Sequence, residues 1–180
     1  MDHQARQRKV PKPATQERLE RAALAYLERF ASSAENLRRV LMRRVDRSAR
    51  LHGTDRGEGA GWVDALVERY RRSGLLDDRV YAEAATRSLR RRGGSARMVK
   101  MKLKAKGVDA DTVDAALEAA SEGDADSELK AAQAYARRRR LGPHAPPATR
   151  KERRMRDLAA LARAGFSYDT ARRVVDGEEE

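Results

Sequence analysis

Between Glu17 and Phe30 the chain reads ERLERAALAYLERF, and its apolar residues Leu19, Ala22, Ala23, Tyr26, Leu27 and Phe30 fall at i, i+3, i+4, i+7, i+8 and i+11. That spacing lays one apolar stripe along an α-helix and would scatter the same residues over both faces of a strand. Helical spacing recurs along most of the sequence, and no alternating β-branched segment is long enough to form a strand. The predicted fold class is therefore all-α.

Ser33 can cap a second helix with Leu37, Val40, Leu41 and Val45 inward and Arg39, Arg43 and Arg47 along another face. The stretch SARLHGTDRGEGAG, residues 48–61, holds four glycines and reads as a loop. A third helix follows with Trp62, Val63, Leu66, Val67 and Tyr70 inward, stopped at Ser73-Gly74. The cycle then restarts. Asp77 or Asp78 caps a helix burying Tyr81, Ala84, Ala85 and Ser88, with Arg79, Glu83, Arg87 and Arg90 on the opposite, exposed side. Gly93-Gly94 ends it, and Ser95 caps the next helix, which runs to Lys106. Gly107 suits a left-handed C-terminal position, and Asp109 or Asp111 starts a short helix with Val113, Ala116 and Leu117 inward. A last set runs from Ser127 to Arg140, from about Thr149 to Ala164, and from Tyr168 to Val175, with LGPHAPPAT as a loop.

KLKAKGVDADTVDAAL, from Lys102, aligns with ALARAGFSYDTARRVV, from Ala160. Leu103 matches Leu161, Gly107 matches Gly165, Asp111 matches Asp169 and Thr112 matches Thr170 at constant offset, and Val108 and Phe166 follow the two glycines. Such self-similarity points to tandem three-helix repeats, each needing neighbours to bury its faces. The expected organisation is a flexible basic tail over 1–16, repeats over 17–75, 76–123 and 124–176, and an acidic tail over 177–180. Eight aromatic residues leave the cores to Ala, Leu, Val and Met.

A formal charge of +12 predicts attraction to polyanions. The charge is unevenly laid out. Arg90 to Gly107 carries eight bases and no acid, whereas Val108 to Glu128 carries eight acids and no base. On a helix from Ser95, Arg97, Lys100 and Lys104 form one stripe away from Val99 and Leu103. Arg87, Arg90 and Arg91 extend the basic face from the preceding helix, so the six residues are candidate partner contacts. Asp109, Asp111 and Asp114 sit where negative charge is favoured at a helix start. A second cluster, Arg137 to Arg140 with Arg150, Lys151, Arg153, Arg154 and Arg156, reads as solvated helix ends.

Enzymatic readings find no support. His3, His52 and His144 lack metal-site spacing, no cysteine is present, and Gly93-Gly94-Ser95 lacks both a preceding strand and the spacing of a phosphate loop. No catalytic residue, metal, cofactor or small-molecule substrate is expected. Base stacking has few aromatic rings to use, Tyr168 being left open. With no cysteine, no leader-like segment and no membrane-length apolar run, the expectation is a cytoplasmic protein without membrane contact.

The segment GLLDDRVYAEAATRSLRRRGGSARMVKMKLKAKGVDADTVDAAL resembles the centre of the RecX family, bacterial regulators of the RecA recombinase, through Leu76, Asp78, Tyr81, Ala82, Arg87, Gly93, Arg97, Val99, Leu103 and Lys106-Gly107-Val108. YLERFASSAENLRRVLMRR is similar to the family's first repeat, and LARAGFSYDTARRVV to its closing motif. Ser95 stands where the family often has a second glycine, Met98 where it often has a base, and the Lys-Gly junction is missing near Val45 to Arg47. The resemblance implies an elongated, curved array that associates with the RecA filament on single-stranded DNA and inhibits ATP hydrolysis, strand exchange and filament growth. It also implies direct binding to single-stranded or double-stranded DNA. A plain DNA-binding protein, with the helix from Ser95 in a groove, is the alternative. The missing heptad seam leans towards a monomer.

Overall fold

The computed structural model describes residues 11–177, which form nine α-helices and two short 3₁₀ turns without a strand. The expected basic tail thus lies largely outside the described residues, as do the last three of the acidic tail. The chain packs as two compact units, one closing at Leu76 and the other opening at Asp77.

The first unit holds α1 (Gln16–Leu27), α2 (Ala34–His52) and α3 (Arg56–Arg72). Leu19, Ala23, Leu37, Leu41, Val45, Val63 and Tyr70 make its core. Phe30 does not join the stripe: α1 ends before it, and its ring is 49% exposed. The glycine-rich stretch is not a loop either. α2 runs on to His52, left-handed Gly53 caps it, and Asp55 accepts the Glu58 amide at 2.7 Å to start α3 at once. Gly57, Gly59 and Gly61 lie inside α3, against their helix propensity of about 1 kcal/mol each. Gly59 shows the compensation. A Cβ there would meet Val45 Cγ1 at 2.6 Å, so its absence lets α3 press onto α2.

The second unit runs from α4 (Asp78–Arg91) through α5 (Ala96–Ala105), α6 (Ala110–Ser121), α7 (Ser127–Arg139) and α8 (Arg150–Arg163) to α9 (Tyr168–Asp176). Two clusters fill it. Ala82, Val99, Leu103, Val108, Val113 and Ala116 unite α4 to α6, and Ala132, Ala136, Leu158, Leu161, Phe166, Ala171 and Val174 unite α7 to α9. α4 is rotated from its expected phase: Ala82 and Thr86 are buried, Ala84 is exposed and Ser88 only half-buried. Leu89 explains it, because Ala82, Thr86 and Leu89 form an i, i+4, i+7 row that turns a leucine inward where Ala84 would turn only a methyl.

The aligned junctions close alike. Val108 N–H donates to Leu103 O at 3.1 Å and Gly107 N–H to Lys104 O at 2.9 Å, while Phe166 N–H donates to Leu161 O at 3.2 Å and Gly165 N–H to Ala162 O at 2.9 Å. This is the Schellman pattern, in which a left-handed residue reverses the chain and the next side chain packs on the last helical turn. Val108 and Phe166 are 4% and 5% exposed, so the apolar step after each glycine is core.

Candidate partner-binding surface

α5 is positioned from both ends. Ser95 accepts the Met98 amide at 3.1 Å, and its own hydroxyl donates to Ala164 O at 2.7 Å, tying the start of α5 to the end of α8. Val99 and Leu103 are fully buried. With that face fixed, the helical period must turn Arg97, Lys100, Lys102 and Lys104 outward, and all four are exposed.

The six candidate residues part company once their partners are seen. Arg97, Lys104 and, on α4, Arg91 are exposed and have no carboxylate partner among the described residues. Lys100 meets Asp114 at 2.8 Å with both side chains more than half exposed, a pairing worth about 0–1 kcal/mol and easily exchanged. Arg87 lies 3.8 Å from Glu83 on the same helix.

Arg90 corrects the expected exposed face: its side chain is only 12% exposed. The guanidinium bonds Glu128 at 2.5 Å, Ser127 Oγ at 2.8 Å and Gly94 O at 3.1 Å. Glu128 also accepts the Ala96 amide at 3.3 Å, placing its charge at the positive end of α5. Arg90 thus holds α4, α5 and α7 together rather than reaching a partner. Sequence spacing marks neither Glu128 nor Ser127 as its partners, because both lie on a helix far along the chain. Lys102 was also missed. It sits between two stripe positions, yet α5 is exposed around more of its circumference than one stripe.

The acidic segment is mostly spent on the chain's own bases and helix starts. Asp109 accepts the Thr112 amide at 2.8 Å and its hydroxyl at 2.7 Å, which holds the Asp109 carboxyl below its ordinary pKa. Asp124 meets Lys130 at 2.9 Å, and that hydrogen bond lowers its pKa likewise. Tyr168 is 66% exposed. His52 contacts Pro11 O at 2.7 Å and His144 lies in a 3₁₀ turn. Among the described residues no group of three or more His, Asp or Glu side chains could hold a metal ion, and no helix is long and apolar enough to cross a membrane.

These features define an all-α protein of three-helix sets in which α5, a basic helix without an acid, turns unpaired cations to solvent. Residues 77–117 match the model of the second three-helix domain of RecX. The regulatory protein RecX of Myxococcus xanthus is 49% identical over 169 residues, which cover 93% of this chain and 89% of that protein. The regulatory protein RecX of Halorhodospira halophila is 31% identical over 167 residues, covering 93% and 92%. The crystal structure of RecX from Lactobacillus salivarius shares the fold, with a TM-score of 0.60 over 90% of this chain and 95% of that one at 17% identity. The chain belongs to the RecX family of regulatory proteins.

Proposed function

We propose that this protein binds the RecA–single-stranded DNA filament and, without catalysis of its own, inhibits RecA ATP hydrolysis, strand exchange and filament extension. Family membership supports the RecA partner. The observation that carries the binding surface is on α5: Arg97 and Lys104 are exposed and unpaired on a helix whose other face is locked by Val99 and Leu103. Unpaired like charges repel one another and are relieved by a polyanion, so the arrangement favours a phosphate-bearing polymer. Arg91, Lys100 and Arg87 extend the surface, and Arg90 supports it from beneath. Repeats over 17–75, 76–123 and 124–176, a cytoplasmic location and a monomeric state complete the reading.

Titrating the protein into a RecA ATPase assay on single-stranded DNA tests it. ATP hydrolysis is expected to fall to a low plateau, and unchanged hydrolysis at saturating protein would remove the RecA reading. The R97E/K100E/K104E variant is expected to need about tenfold or more protein for the same inhibition, since one phosphate contact on a single strand contributes about fivefold at 0.1 M salt. Full inhibition by a variant that melts like the parent would take α5 out of the interface. The second reading, direct binding of DNA by α5, also draws on its exposed cations. It predicts equal affinity for bare and RecA-coated DNA.

A further inference from the structure

The arginines flanking the proline-rich turn fall into two populations. Arg154 is held by both oxygens of Asp176 at 2.7 Å, and Arg150 donates to the carbonyls of Ala145 and Pro143. Arg139, in the last turn of α7, and Arg153, Arg156 and Arg163 on α8 instead converge on a cleft of about 490 Å³. None of these four has a carboxylate partner among the described residues. On α8 the spacing i, i+3, i+10 keeps its three on one face.

The cleft is incompletely satisfied within the chain. Asp157 lines it and is 1% exposed. Its Oδ2 accepts the Gly142 amide at 2.9 Å, but Oδ1 is buried without a partner, and so is Nε of Arg153. Buried polar atoms are ordinarily paired. The unmet donor, Arg153 Nε, beneath arginines that outnumber the carboxylate four to one, marks a place that an external acceptor completes.

The cleft also continues the α5 surface. Gly165 lies two residues beyond Arg163, and a Cβ there would meet Ser95 Oγ at 2.6 Å and Arg97 Cβ at 3.2 Å. Arg97 therefore starts where the cleft wall ends. Tyr135 lines the cleft too, but its ring is taken: the Arg138 and Arg139 guanidinium carbons lie 5.7 and 5.9 Å from its centroid, and Phe166 packs at 6.0 Å. Planar guanidinium forks suit phosphate oxygens.

We propose that the α7–α8 cleft is a second anion site, taking backbone phosphates of a nucleic-acid strand without sequence preference as the strand leaves Arg97. The site needs nucleic acid alone, so it stands or falls independently of the RecA reading.

Fluorescence anisotropy of a labelled oligothymidylate, titrated with the full chain at several salt concentrations in the absence of RecA, tests it. R156A/R163A removes two exposed side chains, so its helical content and melt are expected to match the parent. Loss of two contacts is expected to shrink the log–log salt slope by about 1.4 and to weaken binding about 25-fold at 0.1 M salt. R156K/R163K, which keeps the charge, is expected to recover most of the slope. Unchanged slope and affinity in R156A/R163A would overturn the proposal. So would a variant that keeps oligothymidylate but loses a polyglutamate peptide, or one that keeps it but loses tripolyphosphate, since either reassigns the cleft to another anion.

Discussion

The α4–α6 and α7–α9 sets of the second unit solve the same turns with different residues. α4 and α7 both end with a left-handed residue that donates to the third carbonyl back, followed by one that donates five back. Gly93 and Gly94 bond Arg90 O and Leu89 O at 2.9 Å, and Arg140 and Leu141 bond Arg137 O at 3.3 Å and Ala136 O at 2.9 Å. The left-handed residue is Gly93, φ 80°, in one and Arg140, φ 55°, in the other. Arg140 is the non-glycine residue with positive φ among the described residues. The difference lies in the surroundings. A Cβ on Gly93 would come within 2.5 Å of the Tyr135 backbone nitrogen, where α7 crosses the end of α4, whereas Arg140 stands exposed at the surface. Reversing the chain requires the backbone conformation in both places, but only the crossing requires glycine.

The largest effect should follow from filling that crossing. G93A adds a left-handed penalty of about 1 kcal/mol to an overlap with backbone that no rotamer change relieves, so about 3 kcal/mol or more should be lost from the second unit. Urea unfolding followed by circular dichroism would show it. A loss below about 1 kcal/mol would mean that α7 moves aside freely and that the contrast with Arg140 is only one of residue choice.

R140G probes the other side of the contrast and should change stability in the opposite direction. Relieving the left-handed arginine gains about 1–2 kcal/mol, and glycine's extra freedom in the unfolded chain takes back about 0.5–1 kcal/mol. The net expectation is a gain of about 0.5–1 kcal/mol in the same unfolding experiment. A destabilised R140G would show that the arginine side chain makes a contact outweighing its backbone strain.

Stops and starts were the most legible parts of the sequence, because capping depends on residues within one turn. Ser33, Ser95 and Gly107 take their expected capping roles, and Asp77 and Asp109 cap rather than Asp78 and Asp111. What depended on a distant helix was hidden. The glycines of α3 look like loop residues until Val45 lies against Gly59. The phase of α4 cannot be read from alanines alone, since methyl groups on adjacent faces carry nearly equal apolar weight. Arg90 belongs by charge to the basic run, and it is Ser127 and Glu128, 37 and 38 positions further along the chain, that draw it inward. The α5 surface was legible because its buried pair, Val99 and Leu103, shares its helix, whereas the α8 arginines were obscured by neighbours whose charges Asp176 and backbone carbonyls already satisfy.

The smallest expected effect separates the two matched junctions by chemistry rather than shape. Asp109 caps α6 with a carboxylate, and Ser167 caps α9 with a hydroxyl that accepts the Thr170 amide at 3.1 Å. The Thr112 amide and hydroxyl hold the Asp109 carboxyl below its ordinary value of 3.8. A folded pKa below the unfolded one means that this contribution is fully present above the unfolded pKa and is lost as pH falls through the folded one. A serine cap has no such dependence. D109S should therefore track the parent at a constant offset above about pH 5, and the gap should close as pH falls below the ordinary carboxylate range. Asp124 and Asp176, whose pKa values are lowered by Lys130 and Arg154, are common to both proteins and cancel in the difference. Parallel stability curves down to acid pH would show that Asp109 caps α6 no better ionised than protonated, so that the charge of the carboxylate would not distinguish this junction from the one capped by Ser167.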